Sequence, residues 1–203
     1  NNYAKRAGAK LRLPVRDFSC SGAVSMSRGP QIFQQVDAAI RTGALSPATN
    51  RVVITTGFND TYNHRDMNLA QIRKQFADHT APQIERIKRA APNARIQIVG
   101  YPTIGSDPYY CLFHFGPRPA DSTFLPGIQD FENKAQWMQV DLAAHTGVQF
   151  LDMKPSTRNN GMCADANQRM WAGLVDFTGG DGNLPIHMNQ RGHEHAANVI
   201  ARS

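Results

Sequence analysis

The chain has 203 residues, of which 41% are hydrophobic and 19% are charged, a composition typical of a folded domain rather than a disordered chain. No run of about 18 apolar residues occurs, so the sequence predicts no transmembrane helix. The net charge of +6 is scattered along the chain, without a basic stripe interleaved with aromatic residues. This pattern argues against a nucleic-acid partner and leaves a mild attraction to an anionic cell surface open.

Four short apolar segments, bounded by turn-forming residues, are predicted to be buried β-strands. They are Leu11–Phe18, Arg51–Thr56, Ala94–Gly100 and Gly147–Met153. Pro14 weakens the first of them, because proline lacks the backbone donor that a strand needs.

Helices are predicted between these strands. One begins with Pro30 in its first turn and ends before Gly43. Asp66 is a candidate N-cap for the next, which passes through Phe76 and reaches Pro82, where the helix either kinks or restarts.

The clearest helix is Pro126–His145, whose apolar residues recur at alternating steps of three and four, and a last helix begins near Asn189. Strands that alternate with helices predict the α/β class, here a parallel sheet in a three-layer α/β/α domain spanning residues 1–203. Catalytic and ligand-binding residues of such sheets lie at the carboxyl ends of the strands. Two turns, Gly57–Asp60 and Gly100–Pro102, follow strands in this way.

Residues 107–126 form a long connection that is rich in proline and aromatic side chains. A loop of this length inside a compact domain is usually functional or pinned down. Its aromatic side chains either line a pocket for an acyl chain or pack within the loop, and both interpretations stay open. They are Tyr109, Tyr110, Phe113, Phe115 and Phe124.

Histidines raise the question of a metal site, most of all the pair at His193 and His195. Side chains two residues apart on a helix point in different directions, so we predict no metal site here. Nothing else in the residue pattern calls for an organic cofactor, and none is predicted. The histidines without a partner pattern are expected at the surface: His64, His79, His114 and His145.

Three short blocks carry the strongest functional signal, and they are Ser19–Ala23, Gly57–Asp60 and His187–His193. Together they resemble the SGNH hydrolases, also called GDSL-type esterases and lipases. The resemblance covers most of the chain in the family's order, and Tyr3–Lys10 is similar to the family's first helix. It implies a flavodoxin-like parallel sheet of about five strands, whose first strand would precede Asn1.

The resemblance also implies roles for individual residues. Asn59 and Gly22 would help to form the oxyanion hole, with Gly22 allowing a backbone N–H to approach closely. His187 would be the general base, for which imidazole is suited by its unperturbed pKa of about 6.5. Without the resemblance, Asn59 and Gly22 could each be an ordinary turn residue, and this alternative stays open.

The family's nucleophile motif, Gly-Asp-Ser, is absent from the 203 residues. We therefore expect the nucleophilic serine upstream of Asn1, and we expect the 203 residues alone to be inactive. Ser19, Ser21 and Ser25 lie within the chain, but they match the family's second block and not its first.

A second departure concerns the group that orients the histidine. The family usually places an Asp three residues before it, and Leu184 stands there in this chain. The backbone carbonyl of Leu184 is the favoured replacement, and Asp181 is the alternative.

Cysteine occurs three times, at spacings too wide for a zinc site. From the residues alone, either three free thiols or one disulfide with an unpaired cysteine is possible. The resemblance implies a Cys111–Cys163 disulfide and a bond from Cys20 to a cysteine upstream of the chain. Disulfides are typical of oxidising compartments, so we expect a secreted or cell-envelope protein.

The leading hypothesis is a secreted, monomeric serine esterase or lipase that hydrolyses small carboxylic esters or lipids. Its own cleaved N-terminal segment is a further candidate partner. One alternative keeps the site and changes the reaction, to a carbohydrate O-deacetylase or an acyltransferase. Another alternative is a non-catalytic binding domain that has lost its nucleophile.

Overall fold

A computed structural model describes residues 2–29, 31–178 and 184–203 of the chain. The chain divides into two compact units. The first unit comprises Asn1–Val15, Tyr101–Asp130 and Asp152–Ser203, and the second comprises Arg16–Gly100 and Phe131–Leu151.

Helices and strands alternate along much of the chain. The helices are α1 (Tyr3–Leu11), α2 (Ile32–Arg41), α3 (Phe58–Asn63), α4 (Leu69–Ala90), α5 (Pro126–Thr146), α6 (Lys154–Thr157) and α7 (Gln190–Arg202). The strands are β1 (Arg51–Ile54), β2 (Arg95–Val99), β3 (Tyr109–Tyr110), β4 (Phe113–His114), β5 (Thr123–Phe124), β6 (Gln149–Leu151) and β7 (Val175–Asp176). None of the helices among the described residues combines the length and apolar character needed to cross a bilayer.

The second unit is built on a parallel sheet in the order β1-β2-β6. The chain returns from β1 to β2 through α3 and α4, and from β2 to β6 through a connection that ends with α5. Three of the four predicted strands are confirmed here, and so is the α/β class with a parallel sheet.

The core of the second unit lies between this sheet and the apolar sides of α2, α4 and α5. Its buried members are aliphatic or aromatic throughout, as helical and strand periodicity require. They are Ile32, Val36, Ile54, Ile72, Phe76, Ala81, Ile84, Ile87, Ile96, Ile98, Met138, Leu142 and Ala143.

The first unit is held by a helix pair and by short strands. Helices α1 and α7 pack together, with Glu194 paired to Arg6 and Lys10 and with Tyr3 stacked on His193. Strands β3 and β5 are antiparallel, and β4 and β7 are parallel.

The predicted strand Leu11–Phe18 is wrong. Leu11 ends α1, and Arg12 follows in the left-handed conformation, with its N–H bonded to the helix carbonyls of Ala9 and Gly8. The next residues turn back over the helix, because Leu13 N donates to the Gly8 carbonyl. A short apolar run therefore closes a helix here instead of entering the sheet.

Helix α4 also begins differently from the prediction. Its N-cap is Asn68, which accepts from the Gln71 N–H and receives a bond from the Gln71 side chain in return. Asp66, the predicted cap, lies outside the helix, and Pro82 lies inside one continuous helix. The predicted helices near Pro126–His145 and after Asn189 are confirmed as α5 and α7, whereas Pro30 lies outside the described residues.

Candidate active site

Asn59 lies in the first turn of α3, directly after β1, at the carboxyl end of the sheet. Gly57 makes this turn possible, because its φ of 114° is one that other residues rarely adopt and a Cβ there would lie 3.1 Å from the Phe76 ring. The buried Gln139 amide donates to the Thr56 carbonyl at 2.9 Å and fixes the same turn from α5.

The side-chain amide of Asn59 is held at both ends. Its Nδ2 donates to the Ala23 carbonyl at 2.9 Å, and its Oδ1 accepts from the Tyr62 hydroxyl at 2.9 Å. Because an amide nitrogen carries two hydrogens, the bond to Ala23 leaves the other one for a second acceptor. The amide is thus a fixed donor, as an oxyanion hole requires.

Gly22 lies immediately before Ala23, in a turn closed by the Ala23 N–H and the Cys20 carbonyl at 3.2 Å. Its φ is 76°, and a Cβ there would meet nothing within 4 Å. Glycine is therefore favoured here because of the positive φ, and not because a larger side chain would clash with neighbouring atoms. Through Ala23, the structure brings Gly22 and Asn59 together in the second unit.

Asp60 ties the segment after Gly22 to the end of β1. Its fully buried carboxylate accepts from the N–H groups of Ser25, Met26 and Ser27 at 2.8–3.0 Å and from the Ser27 hydroxyl at 2.7 Å. The sequence places Asp60 at the end of the turn that follows β1 and does not show that it braces another loop. Which loop it braces follows from contacts across more than 30 residues, which spacing cannot predict.

His187 lies in the first unit, on the segment that leads into α7. Its ring is exposed, and Nδ1 lies 2.8 Å from the Pro185 carbonyl oxygen. A carbonyl oxygen only accepts, so Nδ1 carries the proton and Nε2 keeps a lone pair in the neutral ring.

The carbonyl that contacts His187 is that of Pro185, so the favoured prediction of the Leu184 carbonyl is corrected by one residue. Asp181, the alternative acid, lies outside the described residues. Between Pro185 and His187, Ile186 has a φ of 58°, a strained conformation for a β-branched residue. This kink turns the ring back towards the carbonyl two residues earlier.

The main chain around His187 is anchored by the segment that precedes β7. The Ala172 N–H donates to the His187 carbonyl at 2.8 Å, and the side chain of Asn189 donates to the Arg169 carbonyl at 2.8 Å. Arg169 itself is fully buried and pairs with Asp176 at 2.9 Å. The sequence offered no signal for this buried pair.

His114 belongs to the same buried cluster, so its expected place at the surface is wrong. Its Nε2 lies 2.8 Å from the Met162 carbonyl and its Nδ1 lies 3.5 Å from Asp176. Burial lowers the pKa of His114, and the neighbouring Arg169 charge lowers it further. The pKa of Asp176 is also lowered: burial opposes the shift, but hydrogen bonds from Thr178 and Gly173 and the charge of Arg169 outweigh it.

The Cys111–Cys163 disulfide is present, with a Cα–Cα distance of 4.9 Å, and it joins the aromatic connection to the segment before Arg169. Cys20 is exposed and is the free cysteine of the described chain.

The histidines of α7 each engage a protein group. His193 stacks on Tyr3, and His195 Nε2 lies 2.8 Å from the Ser156 hydroxyl. Ser156 also lies 3.3 Å from the Met153 carbonyl, so we interpret its pair with His195 as a contact between α6 and α7. No cluster of three metal-ligating side chains occurs among the residues that the structure describes.

Comparison with known proteins identifies the class. The model of the GDSL-like lipase/acylhydrolase family matches residues 1–195, and the chain belongs to this family. None of the curated protein sequences compared with the chain matches it significantly.

Two solved structures share the fold. A phospholipase A1 from Streptomyces albidoflavus is 16% identical, with a TM-score of 0.64 over 99% of this chain and 85% of its own. An extracellular lipase from Streptomyces rimosus is 17% identical, with a TM-score of 0.53 over 89% of this chain and 78% of its own.

Proposed function

We propose that this chain supplies the general base and the oxyanion donors of a secreted serine esterase or lipase. The observation that carries the proposal is the bond from Asn59 Nδ2 to the Ala23 carbonyl at 2.9 Å. It joins two of the three sequence blocks of the family and presents an amide donor beside the Gly22 turn. Membership of the hydrolase family supports the same conclusion.

In the proposed reaction, a serine hydroxyl attacks the ester carbonyl while His187 Nε2 accepts the hydroxyl proton. The carbonyl oxygen becomes negatively charged and accepts hydrogen bonds from the Asn59 amide and the Gly22 N–H. The tetrahedral adduct collapses, and His187 returns the proton to the departing alcohol. Water then attacks the acyl-enzyme by the same sequence, releasing the acid and restoring the serine.

Pro185 would take the place that a carboxylate has in a Ser-His-Asp triad. Its carbonyl accepts from His187 Nδ1 at 2.8 Å, which sets the ring tautomer for proton transfer from Nε2. A neutral carbonyl stabilises the imidazolium less than a carboxylate does. The oxyanion donors therefore carry a larger share of the rate enhancement in this proposal.

The proposal takes the attacking serine from upstream of Asn1, as the family resemblance implies, and assigns it to none of the 203 residues. Two of the three candidate serines within the chain, Ser19 and Ser25, already have side-chain partners. Ser25 is buried with its hydroxyl 2.9 Å from that of Thr56, and the Ser19 hydroxyl is bonded to Asp17 at 2.7 Å.

Carboxylic esters of lipids are the proposed substrates, in keeping with the phospholipase A1 and the extracellular lipase of the same fold. Secretion is proposed on the Cys111–Cys163 disulfide, because such bonds persist in oxidising compartments.

The test is fluorophosphonate labelling of the natural, full-length protein, followed by peptide mapping of the labelled serine. We expect the label on a serine upstream of Asn1, and its loss in His187→Ala. Asn59→Ala should slow labelling by about 10²–10³-fold, the typical effect of removing one oxyanion donor.

Two matched variants control for general damage. Asn63→Ala alters an exposed asparagine of the same helix, and His79→Ala alters an exposed histidine; both should label at the wild-type rate. A label on Ser156 would instead identify Ser156 and His195 as the catalytic dyad and would contradict the role of His187. The proposal would also be contradicted if the full-length protein were not labelled at all.

A further inference from the structure

Tyr62 contacts the oxyanion donor, although the proposed reaction gives it no part. It follows Asn59 by three residues in α3, so the two side chains lie on the same face of this helix. The Tyr62 hydroxyl donates to Asn59 Oδ1 at 2.9 Å. Because Tyr62 is 46% exposed, water is at hand to satisfy its hydroxyl, so burial alone does not explain this bond.

The bond matters because rotamer preference does not fix the amide plane of an asparagine. Its terminal torsion joins a tetrahedral carbon to a planar group and has broad minima. The bond from Asn59 Nδ2 to the Ala23 carbonyl at 2.9 Å fixes one end of the amide and leaves the plane able to turn about that bond. The bond from Tyr62 fixes the other end, so the second N–H of Asn59 keeps one direction.

The chemistry of the partners also sets which end of the amide is which. The Ala23 carbonyl only accepts, so the nitrogen of Asn59 faces it and the oxygen faces Tyr62, whose hydroxyl must then donate. A hydrogen bond donated to an amide oxygen polarises the amide and strengthens the bonds that its N–H groups donate. Tyr62 therefore acts on both the direction and the strength of the Asn59 donor.

The ring of Tyr62 is itself held in the second unit by Phe131 of α5. The two ring centroids are 6.5 Å apart with an interplanar angle of 65°, which is an edge contact. The same helix supplies Gln139, whose amide donates to the Thr56 carbonyl at the start of the turn. Helix α5 thus supports the turn that carries Asn59 and the tyrosine that orients it.

We propose that Tyr62 is a positioning residue of the oxyanion hole, which holds the Asn59 amide in the orientation that meets the developing negative charge. Preorganised donors stabilise a transition state because they need no reorientation when the charge forms. The inference rests on the proposed function, since it deepens the role given there to Asn59.

The test is Tyr62→Phe in the full-length protein, assayed with a soluble nitrophenyl ester of butyric acid. This change keeps the ring and its contact with Phe131 and removes only the hydroxyl. We expect kcat to fall about fivefold, the effect of losing one hydrogen bond of ordinary strength, and KM to stay nearly constant. The urea denaturation midpoint should not change, because an exposed hydroxyl is removed.

The matched control is the same change in an Asn59→Ala background. With no amide left to orient, Tyr62→Phe should have no further effect on kcat there. A residue with a merely structural role would lower kcat by the same factor in both backgrounds.

A second measurement follows the Asn59 side-chain amide directly by ¹⁵N relaxation, without turnover. The amide should be as rigid as the surrounding backbone in wild type and clearly more mobile in Tyr62→Phe.

Unchanged amide mobility in Tyr62→Phe would overturn the proposal, and so would an equal loss of kcat in the Asn59→Ala background. If kcat falls while the amide stays rigid, Tyr62 contacts the substrate itself and the positioning role is wrong. Absence of ester hydrolysis in the wild-type full-length protein would contradict the proposed function, whereas the relaxation measurement would still decide whether Tyr62 orients Asn59.

Discussion

Replacing Asp60 by asparagine removes the buried charge that holds the Ser25–Ser27 segment. In the better of its two orientations, the new amide keeps an oxygen towards Met26 and Ser27 but turns an NH₂ group towards the Ser25 N–H, which the carboxylate bonds at 2.8 Å. One buried donor loses its acceptor, and the remaining three bonds lose their ionic component.

Hydrogen bonds to charged groups contribute about 1.5–3 kcal/mol each, against about 1 kcal/mol for neutral ones, and an unsatisfied buried donor costs about 1–3 kcal/mol. A neutral amide also avoids the cost of burying a charged carboxylate, which offsets part of this loss. We therefore expect Asp60→Asn to lower the free energy of unfolding by about 3–5 kcal/mol. Urea denaturation measures this loss, and amide hydrogen exchange at Ser25–Ser27 should accelerate with it.

Asp66→Asn is the matched control, because Asp66 is exposed in the same unit, and it should change the free energy of unfolding by less than about 0.5 kcal/mol. If Asp60→Asn is no more destabilising than Asp66→Asn, the bracing role of Asp60 is refuted.

Three further predictions concern a turn, a buried histidine and the disulfide. Gly22 and Gly43 have φ of 76° and 70°, and an added Cβ would meet no atom within 4 Å at either position. Gly22→Ala and Gly43→Ala should therefore each lower the free energy of unfolding by about 1 kcal/mol through backbone strain alone. Only Gly22→Ala should lower kcat for ester hydrolysis. Folding lowers the pKa of His114 below the value of 6.5 expected in the unfolded chain. At a pH between the folded-state and unfolded-state pKa values, the unfolded chain therefore binds more protons, and the free energy of unfolding falls as the pH drops below 6.5. His114→Gln should flatten this slope in thermal melts at pH 7 and pH 5, His79→Gln should leave it unchanged, and an unaltered slope in His114→Gln would contradict the assignment. Cys111→Ser/Cys163→Ser opens a loop with a sequence separation of 52 and should cost about 4 kcal/mol in urea denaturation, whereas Cys20→Ser should cost nothing measurable.

Sequence patterns predicted the sheet well because its strands are short apolar runs bounded by turn-forming residues. Val52–Ile54 and Ile96–Val99 are near-continuous apolar runs, and long helices at 3.6-residue spacing separate them. The same rule failed at Leu11–Phe18, where Leu11 ends α1 and the Leu13 N–H donates to the Gly8 carbonyl. Pattern alone does not distinguish a strand from the end of a helix.

The family resemblance, and not local rules, singled out Asn59 and Gly22, and their catalytic roles stay predictions. The bond from Asn59 to the Ala23 carbonyl brings the two sequence blocks that contain them together. The Pro185 contact depends on a left-handed Ile186, which sequence rules disfavour. The cluster of His114, Arg169 and Asp176 joins residues up to about 60 positions apart, so it has no local signature.

A crystal structure of the full-length protein carrying a phosphonate adduct tests the central claim most directly. The account predicts a phosphonyl oxygen about 2.7–3.1 Å from both Asn59 Nδ2 and the Gly22 nitrogen, with His187 Nε2 within hydrogen-bond reach of the bonded serine oxygen. An adduct oxygen that meets neither donor, or an adduct on a serine that His187 does not reach, would contradict it.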